Sequence, residues 1–284
     1  MQQRAFIGTG LIGAGLAQAA AGRGDAVTVY NRTRAKAEAL TQFGAVVADS
    51  LDAVAQQHTR IHLALTSDAA VDEVLDTLAP HLSPDGIVLD HSTTSIEGTR
   101  RRAERWTRRG LHYLHAPVFM SPQACREAKG MMLVSGPEQL VAQVRHELAQ
   151  MTGALRELGP RPEAAAAFKL GGNALILTVL GGLADVFAMA GAHGFSPQQC
   201  SEVFAAFDLR PALAGRGARM AEGDYSTQWS LEMARKDVGL MLDAAGSVPL
   251  TMVSALAERM DVLLGQGHGE RDVAVLSRDA ISGE

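Results

Sequence analysis

The sequence has little cysteine, little net charge and only short apolar runs. Its two cysteines, Cys125 and Cys200, form no CxxC pair and have no metal-ligand spacing, which fits a reducing cytoplasm and predicts no metal site. A net charge of −5 argues against nucleic acid or a membrane surface as a partner. The most apolar stretch, residues 174–184, is shorter than the roughly 20 residues of a membrane span. We therefore expect a soluble, cytoplasmic protein.

Strand-like and helix-like segments alternate through the first half of the chain. Apolar and β-branched runs predict strands at residues 4–7, 26–30, 45–47, 60–65, 87–90, 111–114 and 154–158. Helical patterns predict helices at residues 11–21, 34–43, 51–56, 70–78, 97–109 and 137–151. This alternation is typical of an α/β Rossmann domain with a doubly wound parallel sheet. Residues 116–136 carry no clear pattern.

The segment Gly159-Pro160-Arg161-Pro162 predicts a domain boundary, with a Rossmann domain at 1–160 and an all-α domain at 161–284. A long helix at 163–192 would join the two domains. Shorter helices are predicted after it, at residues 198–207, 211–220, 231–245 and 251–265. Apolar residues lie all around the long helix, so we expect burial on several sides and a homodimer or homotetramer.

A glycine-rich turn follows the first predicted strand and opens the first predicted helix, with the sequence Gly8-Thr9-Gly10-Leu11-Ile12-Gly13. In this position a GxGxxG turn is typical of a dinucleotide-binding loop. Gly8 permits the tight turn, Gly10 lets a pyrophosphate approach the backbone, and Gly13 lets the helix pack on the strand. The helix N-terminus then faces the phosphate charge. We expect all six residues to bind the cofactor.

The end of the second predicted strand indicates which nicotinamide cofactor binds. An NAD site usually carries Asp or Glu here, which accepts a hydrogen bond from the ribose 2′-hydroxyl. This chain has Asn31, Arg32 and Thr33 instead. With no carboxylate to repel it, a 2′-phosphate can be held by the Arg32 guanidinium and the Thr33 hydroxyl. We predict NADP(H) rather than NAD(H).

Lys169 and Asn173 indicate the chemistry. They are four residues apart in the long predicted helix and so share one face. Their neighbours are apolar, and a lysine in such surroundings loses hydration, so its pKa falls toward the range useful for proton transfer. An amide one turn away can orient the amine or hold a substrate oxygen. The alternative is a snorkelling surface lysine beside a helix-packing glycine pair, Gly171 and Gly172.

Several motifs together resemble the β-hydroxyacid dehydrogenase family, which includes 3-hydroxyisobutyrate dehydrogenase, tartronate semialdehyde reductase and glyoxylate/succinic semialdehyde reductases. The resemblance covers nearly the whole chain. Besides the glycine loop and Lys169-x-x-x-Asn173, the motifs are Asn31-Arg32-Thr33, Leu89-Asp90-His91-Ser92-Thr93, Ala116-Pro117-Val118 and Arg235-Lys236-Asp237. Their order and spacing together are specific.

The resemblance implies further cofactor-binding positions. Leu65 and Thr66 would line the cofactor, Thr93 would lie against the nicotinamide ribose, and Lys236 would reach the cofactor or close over the site. Two of these residues have an alternative structural interpretation. Thr93 can be the cap of the following helix, and Lys236 can be half of a surface pair with Asp237.

The substrate loop departs from the family pattern. The family usually has Asp-Ala-Pro-Val-Ser-Gly-Gly, whose serine and glycine amides cradle a carboxylate, whereas this chain has His115-Ala116-Pro117-Val118-Phe119-Met120-Ser121-Pro122. Phe119 and Met120 offer no hydroxyl, and side chains at glycine positions restrict the loop. A bulkier or more apolar substrate is therefore expected, with Ser121 or Gln123 as a replacement donor. The predicted substrate-binding residues are Ser92, Phe119, Met120, Ser121 and Gln123.

Other reactive side chains lie near this loop in the sequence. His91, His112 and His115 have no carboxylate or cysteine at ligand spacing, so we expect no metal. His115 is expected to line the active site as a polar residue. Cys125 is expected to be a bystander rather than a nucleophile.

The resemblance implies an NADP(H)-dependent oxidoreductase that acts on CH–OH/C=O groups. Hydride would pass between the nicotinamide and a 3-hydroxy acid, a semialdehyde or a related small carbonyl substrate, with Lys169 as general acid/base and Asn173 positioning it. One alternative is an imine reductase, which shares the architecture but generally lacks the lysine. The other alternative is a dinucleotide-binding protein without catalysis.

Overall fold

Six parallel strands form the central sheet of the protein, in a computed structural model that describes residues 3–282. The strand order is β3-β2-β1-β4-β5-β6. Because the order reverses between β1 and β4, the carboxyl ends of these two strands flank the crevice where doubly wound sheets bind ligands. The predicted α/β class and doubly wound sheet are confirmed. The strands are β1 (Gln3–Ile7), β2 (Ala26–Tyr30), β3 (Val46–Val47), β4 (Arg60–Leu63), β5 (Ile87–Asp90) and β6 (His112–His115).

Helices connect these strands and cover both faces of the sheet. Their bounds are α1 (Leu11–Gly22), α2 (Arg34–Glu38), α3 (Leu51–Gln57), α4 (Asp68–Leu78) and α5 (Ile96–Arg108). One predicted helix, at residues 34–43, is shorter than expected. It stops at Glu38, whose carbonyl accepts a hydrogen bond from the Thr41 hydroxyl at 2.8 Å, and the chain continues as a 3₁₀ turn at Thr41–Phe43.

The sheet is buried on both faces because successive side chains of each strand point to opposite sides. In β1, Phe6 packs into a cluster with Leu16 of α1. The neighbouring Ile7 packs into a second cluster with Leu75 of α4 and Trp106 of α5. Burial on both faces is why the strands have continuous apolar runs and not alternating ones.

The segment 116–136, which carries no sequence pattern, contains three short elements. They are β7 (Val118–Phe119), α6 (Pro122–Arg126) and β8 (Met131–Val134). Helix α7 (Glu138–Ala149) and β9 (Ala154–Glu157) follow, and the strands form a second sheet in the order β7-β8-β9. A strand of two residues and a helix of five are too short to show a period.

Helices make up the second part of the chain. They are α8 (Ala164–Ala192), α9 (Pro197–Ala205), α10 (Gly217–Glu222), α11 (Leu231–Ala245), α12 (Thr251–Gly265) and α13 (Arg278–Ser282), with a π-helical turn at Ala212–Arg216. Two compact units, Met1–Asn173 and Ala174–Glu284, divide the chain inside α8. The predicted boundary at residue 160 falls earlier, just after β9. In the second unit, buried Asp185 accepts the amides of residues 251–253 and so caps α12.

Helix α8 is apolar but exposed within the single chain. Among residues 3–282 it is the helix that is long and apolar enough to cross a membrane by length and composition, and 6% of its most apolar window is buried. Leu177, for example, is 67% exposed. Phe168 and Leu170, which are 62% and 37% exposed, extend this apolar surface to the N-terminal side of the predicted stretch at 174–184. The burial on several sides that we expected for this helix is not supplied by its own chain.

A chain of buried hydrogen bonds runs from helix α7 to the start of the substrate loop. Glu147 of α7 lies 2.8 Å from His62 Nε2, and His62 Nδ1 lies 2.9 Å from His91 Nε2. His91 Nδ1 in turn lies 2.6 Å from the carbonyl oxygen of Ala116. The chain therefore ties the ends of β4, β5 and β6 to one helix.

The positions of the protons in this series of hydrogen bonds follow from its last group, the carbonyl of Ala116. A carbonyl only accepts, so His91 Nδ1 must donate to Ala116. Burial, together with the neighbouring His62, lowers the pKa of His91 to about 3, so His91 is neutral at pH 7 and its Nε2 accepts from His62. A proton must then also lie between His62 Nε2 and Glu147 Oε1, which are 2.8 Å apart.

The charge of Glu147 is stabilised by its partners. Burial alone would raise the pKa of Glu147, but the hydrogen bond from His62 and the positive charges of Arg4 and Arg60 outweigh it and lower the pKa. A lowered folded-state pKa stabilises the fold above the unfolded value, and this contribution is lost as the pH falls through the folded value. The pair should therefore hold at neutral pH and fail in acid.

We expect Glu147→Gln to destabilise the first unit by about 3 kcal/mol at pH 7, because it removes the buried carboxylate that His62, Arg4 and Arg60 share. The variant should also lose part of the wild-type dependence of stability on pH below about 4.5. Urea unfolding at pH 7 and pH 4 measures both effects. Glu157→Gln is the matched control, since Glu157 pairs with Arg145 at the surface. Equal urea midpoints for the two variants would contradict the ion pair.

Candidate active site

The glycine loop has the packing that its sequence predicts. Gly8 has φ +91°, and a Cβ there would lie 2.4 Å from the carbonyl oxygen of Ala64. A Cβ at Gly13 would lie 1.9 Å from the carbonyl oxygen of Gly8, so only glycine lets α1 approach β1 this closely. At Gly10 no atom of the described residues lies within 4 Å of a built Cβ. The loop is thus tight where it packs and open where a pyrophosphate would approach.

The start of α1 is suited to an anion. Gly10 is the N-cap, and within residues 3–282 no side chain caps it. The first turn carries no acidic residue, and Leu11 is 76% exposed. Amides at a helix start lack intrahelical partners and attract negative charge. The predicted contacts of Leu11 and Ile12 with a phosphate are thus available through the backbone.

Asn31 joins two of the predicted cofactor loops. Its Oδ1 accepts a hydrogen bond from the Thr9 amide at 3.0 Å, and its Nδ2 donates to the Thr33 carbonyl at 2.9 Å. The Asn31 side chain therefore holds the loops after β1 and β2 together. Arg32 and Thr33 are exposed beside it, and within the described chain neither side chain has an ion pair or a cap bond. Both remain available to an anionic ligand.

The loops after β4 and β5 are joined in the same way. The Leu65 amide donates to Ser92 Oγ at 2.8 Å, and Ser92 is 3% exposed. The structure thus places Ser92 beneath the loops, whereas Thr66 and Thr93 are exposed at the surface of this edge. The cap of α5 is Ser95, whose Oγ accepts the Gly98 amide, so the alternative interpretation of Thr93 as the cap is wrong.

His115 does not line the site as expected. It is 1% exposed, and its Nε2 lies 2.9 Å from the carbonyl oxygen of Ser92 and 3.2 Å from Thr94 Oγ1. Burial lowers its pKa, so it is a neutral bridge between the ends of β5 and β6. The prediction failed because His115, at the end of β6, faces the loop that follows β5 and not solvent.

Cys125 is buried in α6, and burial raises the pKa of its thiol to about 11. A thiol with so high a pKa is a poor nucleophile at neutral pH, as the sequence suggested. Cys125 also fixes the loop, because a Cβ at Gly15 of α1 would lie 2.7 Å from Cys125 Cβ. Helix α6 is therefore packed directly on the helix that begins at the glycine loop.

Lys169 is buried, although it lies on an exposed helix. It is 9% exposed, whereas its neighbours Phe168 and Leu170 are 62% and 37% exposed. Its Nζ donates to Asn173 Oδ1 at 2.9 Å, which brings together the two predicted catalytic residues. Burial lowers the pKa of Lys169. The alternative of a snorkelling surface lysine is therefore wrong.

Phe119 covers the lysine. The centroid of its ring lies 4.2 Å from Lys169 Nζ, a cation–π contact. A Cβ at Gly172 would lie 2.3 Å from Phe119 Cζ, so the glycine makes room for the ring. Sequence reasoning placed Phe119 at the substrate but missed this contact. The available signal was a glycine three residues after the lysine, which would face the same side of the helix.

The other residues of the substrate loop point elsewhere. Met120 packs toward the core of the first unit, and a Cβ at Gly130 would lie 2.9 Å from Met120 Cγ. Ser121 caps α6 by accepting the Ala124 amide at 3.1 Å. Gln123 donates to Glu127 at 2.8 Å. Of the five predicted substrate-binding residues, Phe119 is the one that the structure brings to Lys169.

Lys236 lies in the second unit and pairs with a neighbour. Its Nζ is 3.1 Å from Asp237 Oδ1, and its side chain is 56% exposed. This is the surface pair that was the alternative interpretation of the motif. Its predicted contact with the cofactor stays a prediction.

Comparisons with known proteins agree with this architecture. Residues 3–159 match the model of a family described as the NAD binding domain of 6-phosphogluconate dehydrogenase. The oxidoreductase YfjR of Bacillus subtilis is 28% identical, over 96% of this chain and 97% of that protein. An NAD-dependent L-serine dehydrogenase of Pseudomonas aeruginosa is 27% identical, over 98% and 97%. An imine reductase from Pseudomonas sp. has the same fold, with a TM-score of 0.88, 23% identity and 98% of each chain covered.

Proposed function

Because this chain belongs to the family of the NAD binding domain of 6-phosphogluconate dehydrogenase, among the β-hydroxyacid dehydrogenases, we propose that it is an NADP(H)-dependent oxidoreductase of carbonyl and alcohol groups. The observation that carries this proposal is the buried Lys169, hydrogen-bonded to Asn173. An ammonium in a partly desolvated position is suited to give a proton to a developing alkoxide.

The residues of the first unit have distinct parts in this reaction. The bound nicotinamide would supply or accept the hydride. Lys169 Nζ would donate a proton to the substrate oxygen during reduction and take it back during oxidation. Asn173 fixes the direction of the ammonium. Because burial lowers the pKa of Lys169, the protonated form would be lost at a lower pH than for a solvated lysine, and reduction would slow as the pH rises through that value.

Imine reduction is the second candidate. It is favoured by the substrate loop, in which Phe119 and Met120 stand at positions where the family usually has Ser-Gly-Gly. Lys169 favours the carbonyl reaction. The carboxylate of α8, Asp185, already accepts three backbone amides, and an acceptor of this kind is poorly suited to serve as an alternative proton donor.

We expect the protein to oxidise NADPH with a small aldehyde or ketone, and Lys169→Ala to lower kcat by at least 100-fold, since it removes the proton donor. NADPH affinity should change little. Stopped-flow turnover and fluorescence titration of NADPH measure these quantities. Lys129→Ala is the control, because Lys129 is a surface residue paired with Glu127. Unchanged turnover in Lys169→Ala would contradict the mechanism, and turnover of cyclic imines alone would favour the second candidate.

The preference for NADP(H) is proposed from Arg32 and Thr33. Both are exposed beside the loop that Asn31 fixes, and neither Asp nor Glu ends β2. Arg34 is less available because it pairs with Glu38 and Asp49. A 2′-phosphate would thus meet one free guanidinium at this position.

We expect NADPH to bind more tightly than NADH. Arg32→Ala should weaken the binding of NADPH by about tenfold, because one charge-assisted contact is lost, and should change the affinity for NADH little. Arg34→Ala is the control, and it should affect NADPH less. Dissociation constants from fluorescence titration decide the outcome. Tighter binding of NADH by the wild-type protein would contradict the proposal.

We also propose that the exposed apolar surface of α8 is covered by a second copy of the chain. A helix that is apolar on all sides is normally buried against other parts of a protein, and large exposed apolar patches of this kind mark interfaces. Light scattering should therefore give twice or four times the mass of 30.0 kDa. Leu177→Asp should lower that mass toward the monomer, and Leu11→Asp, a change on the exposed surface of α1, should not. A monomer, or a protein that requires detergent, would contradict the proposal.

A further inference from the structure

Phe119 leaves Lys169 little room for a substrate carboxylate. An ammonium has three N–H groups. One of them donates to Asn173, and the ring of Phe119 covers a second side of Nζ at 4.2 Å. One direction then remains for a substrate oxygen. A single carbonyl oxygen needs one donor, whereas a carboxylate needs several to offset its lost hydration.

The rest of the loop does not replace the missing donors. Ser121 is fixed as the cap of α6, and Gln123 is held by Glu127. Met120 is directed toward Gly130 and the core, so its side chain adds no donor at Lys169.

The position of the ring is itself fixed. Phe119 lies in β7, which pairs with β8 through Phe119 and Met131. Its ring occupies the space above Gly172, where any larger residue would collide with it. The carbonyl of Ala116, three residues earlier, is held by His91. The ring is therefore held by both its strand and the helix that it contacts.

We propose that Phe119 is the specificity-determining residue of this site and that it selects neutral carbonyl compounds over those that carry a carboxylate. The inference rests on the proposed function and names its substrate class. The aromatic face also stabilises the ammonium, because the electron-rich ring attracts a cation. Phe119 thus excludes one class of substrate and at the same time keeps the proton donor charged.

A matched pair of ligands tests the selection without relying on turnover. The anion 4-oxobutanoate and its methyl ester differ by one negative charge. Calorimetry on protein loaded with oxidised nicotinamide cofactor should show the ester binding at least tenfold more tightly. Phe119→Ser should reduce this ratio at least tenfold, because it uncovers Lys169 and adds a hydroxyl. Phe119→Leu should keep the ratio, because it stays apolar.

Two glycines of α8 supply a matched control. Gly172→Ala puts a methyl group against the ring and should reduce the ratio as Phe119→Ser does. Gly171→Ala should leave it unchanged, since no atom of residues 3–282 lies within 4 Å of a Cβ built there. Circular dichroism confirms that each variant is folded. If Phe119→Ser does not fold, the two glycine variants carry the test.

The pH dependence gives a second readout. Reduction of the ester should fall with rising pH as Lys169 loses its proton, and Phe119→Leu should move this fall to lower pH because the ammonium loses its aromatic contact. Phe43→Leu, which alters an exposed aromatic residue of the same unit, should not move it.

The outcomes separate the inference from the proposed function. Equal binding of anion and ester by the wild-type protein, or an unchanged ratio in folded Phe119→Ser and Gly172→Ala, overturns the inference. Turnover that prefers the anion overturns the inference alone. Selective binding of the ester with no turnover of either compound overturns the proposed function and supports the inference.

Discussion

The candidate site depends on how the loops at the carboxyl edge of the parallel sheet are held. Backbone groups that leave a strand end lose their ladder partners and must find others. Here side chains from the neighbouring strand supply them. Asn31 accepts the Thr9 amide, Ser92 accepts the Leu65 amide, and His91 donates to the Ala116 carbonyl. Each bond joins two neighbouring loops, so the glycine loop, the cofactor edge and the substrate loop are each held by a side chain from the next strand.

The chemistry at Lys169 reflects a balance between burial and compensation. Burying an ammonium costs free energy because it loses water, and the pKa falls as a result. Two contacts offset part of this lost solvation free energy. The Asn173 side chain accepts a hydrogen bond from the ammonium, and the Phe119 ring makes a cation–π contact with it. The outcome is a cation that is retained but less solvated than usual. Such a group suits proton transfer to an oxygen that gains charge only during the reaction.

The accuracy of sequence reasoning depended on the length of each element and on the separation of the contacting residues. Strands β2 and β5 were predicted residue for residue, β2 because it is rich in β-branched residues and β5 because a fully buried strand has an apolar run. In the segment 116–136, β7 and α6 were missed because each is too short to show a period. The pair of His62 and Glu147 was also missed, since 85 residues separate the two side chains and no local pattern links them.

The sequence by itself determined the doubly wound fold, the glycine loop and the face shared by Lys169 and Asn173, since each follows from spacing within one or two elements. Tertiary structure alone decided what the remaining polar residues do. Ser92 and His115 became buried connections between strands, although their sequence positions suggested contact with a ligand. Phe119 acquired its place over Lys169 because β7 and α8 meet at Gly172. Contacts of this kind depend on three-dimensional proximity, which no short-range pattern encodes.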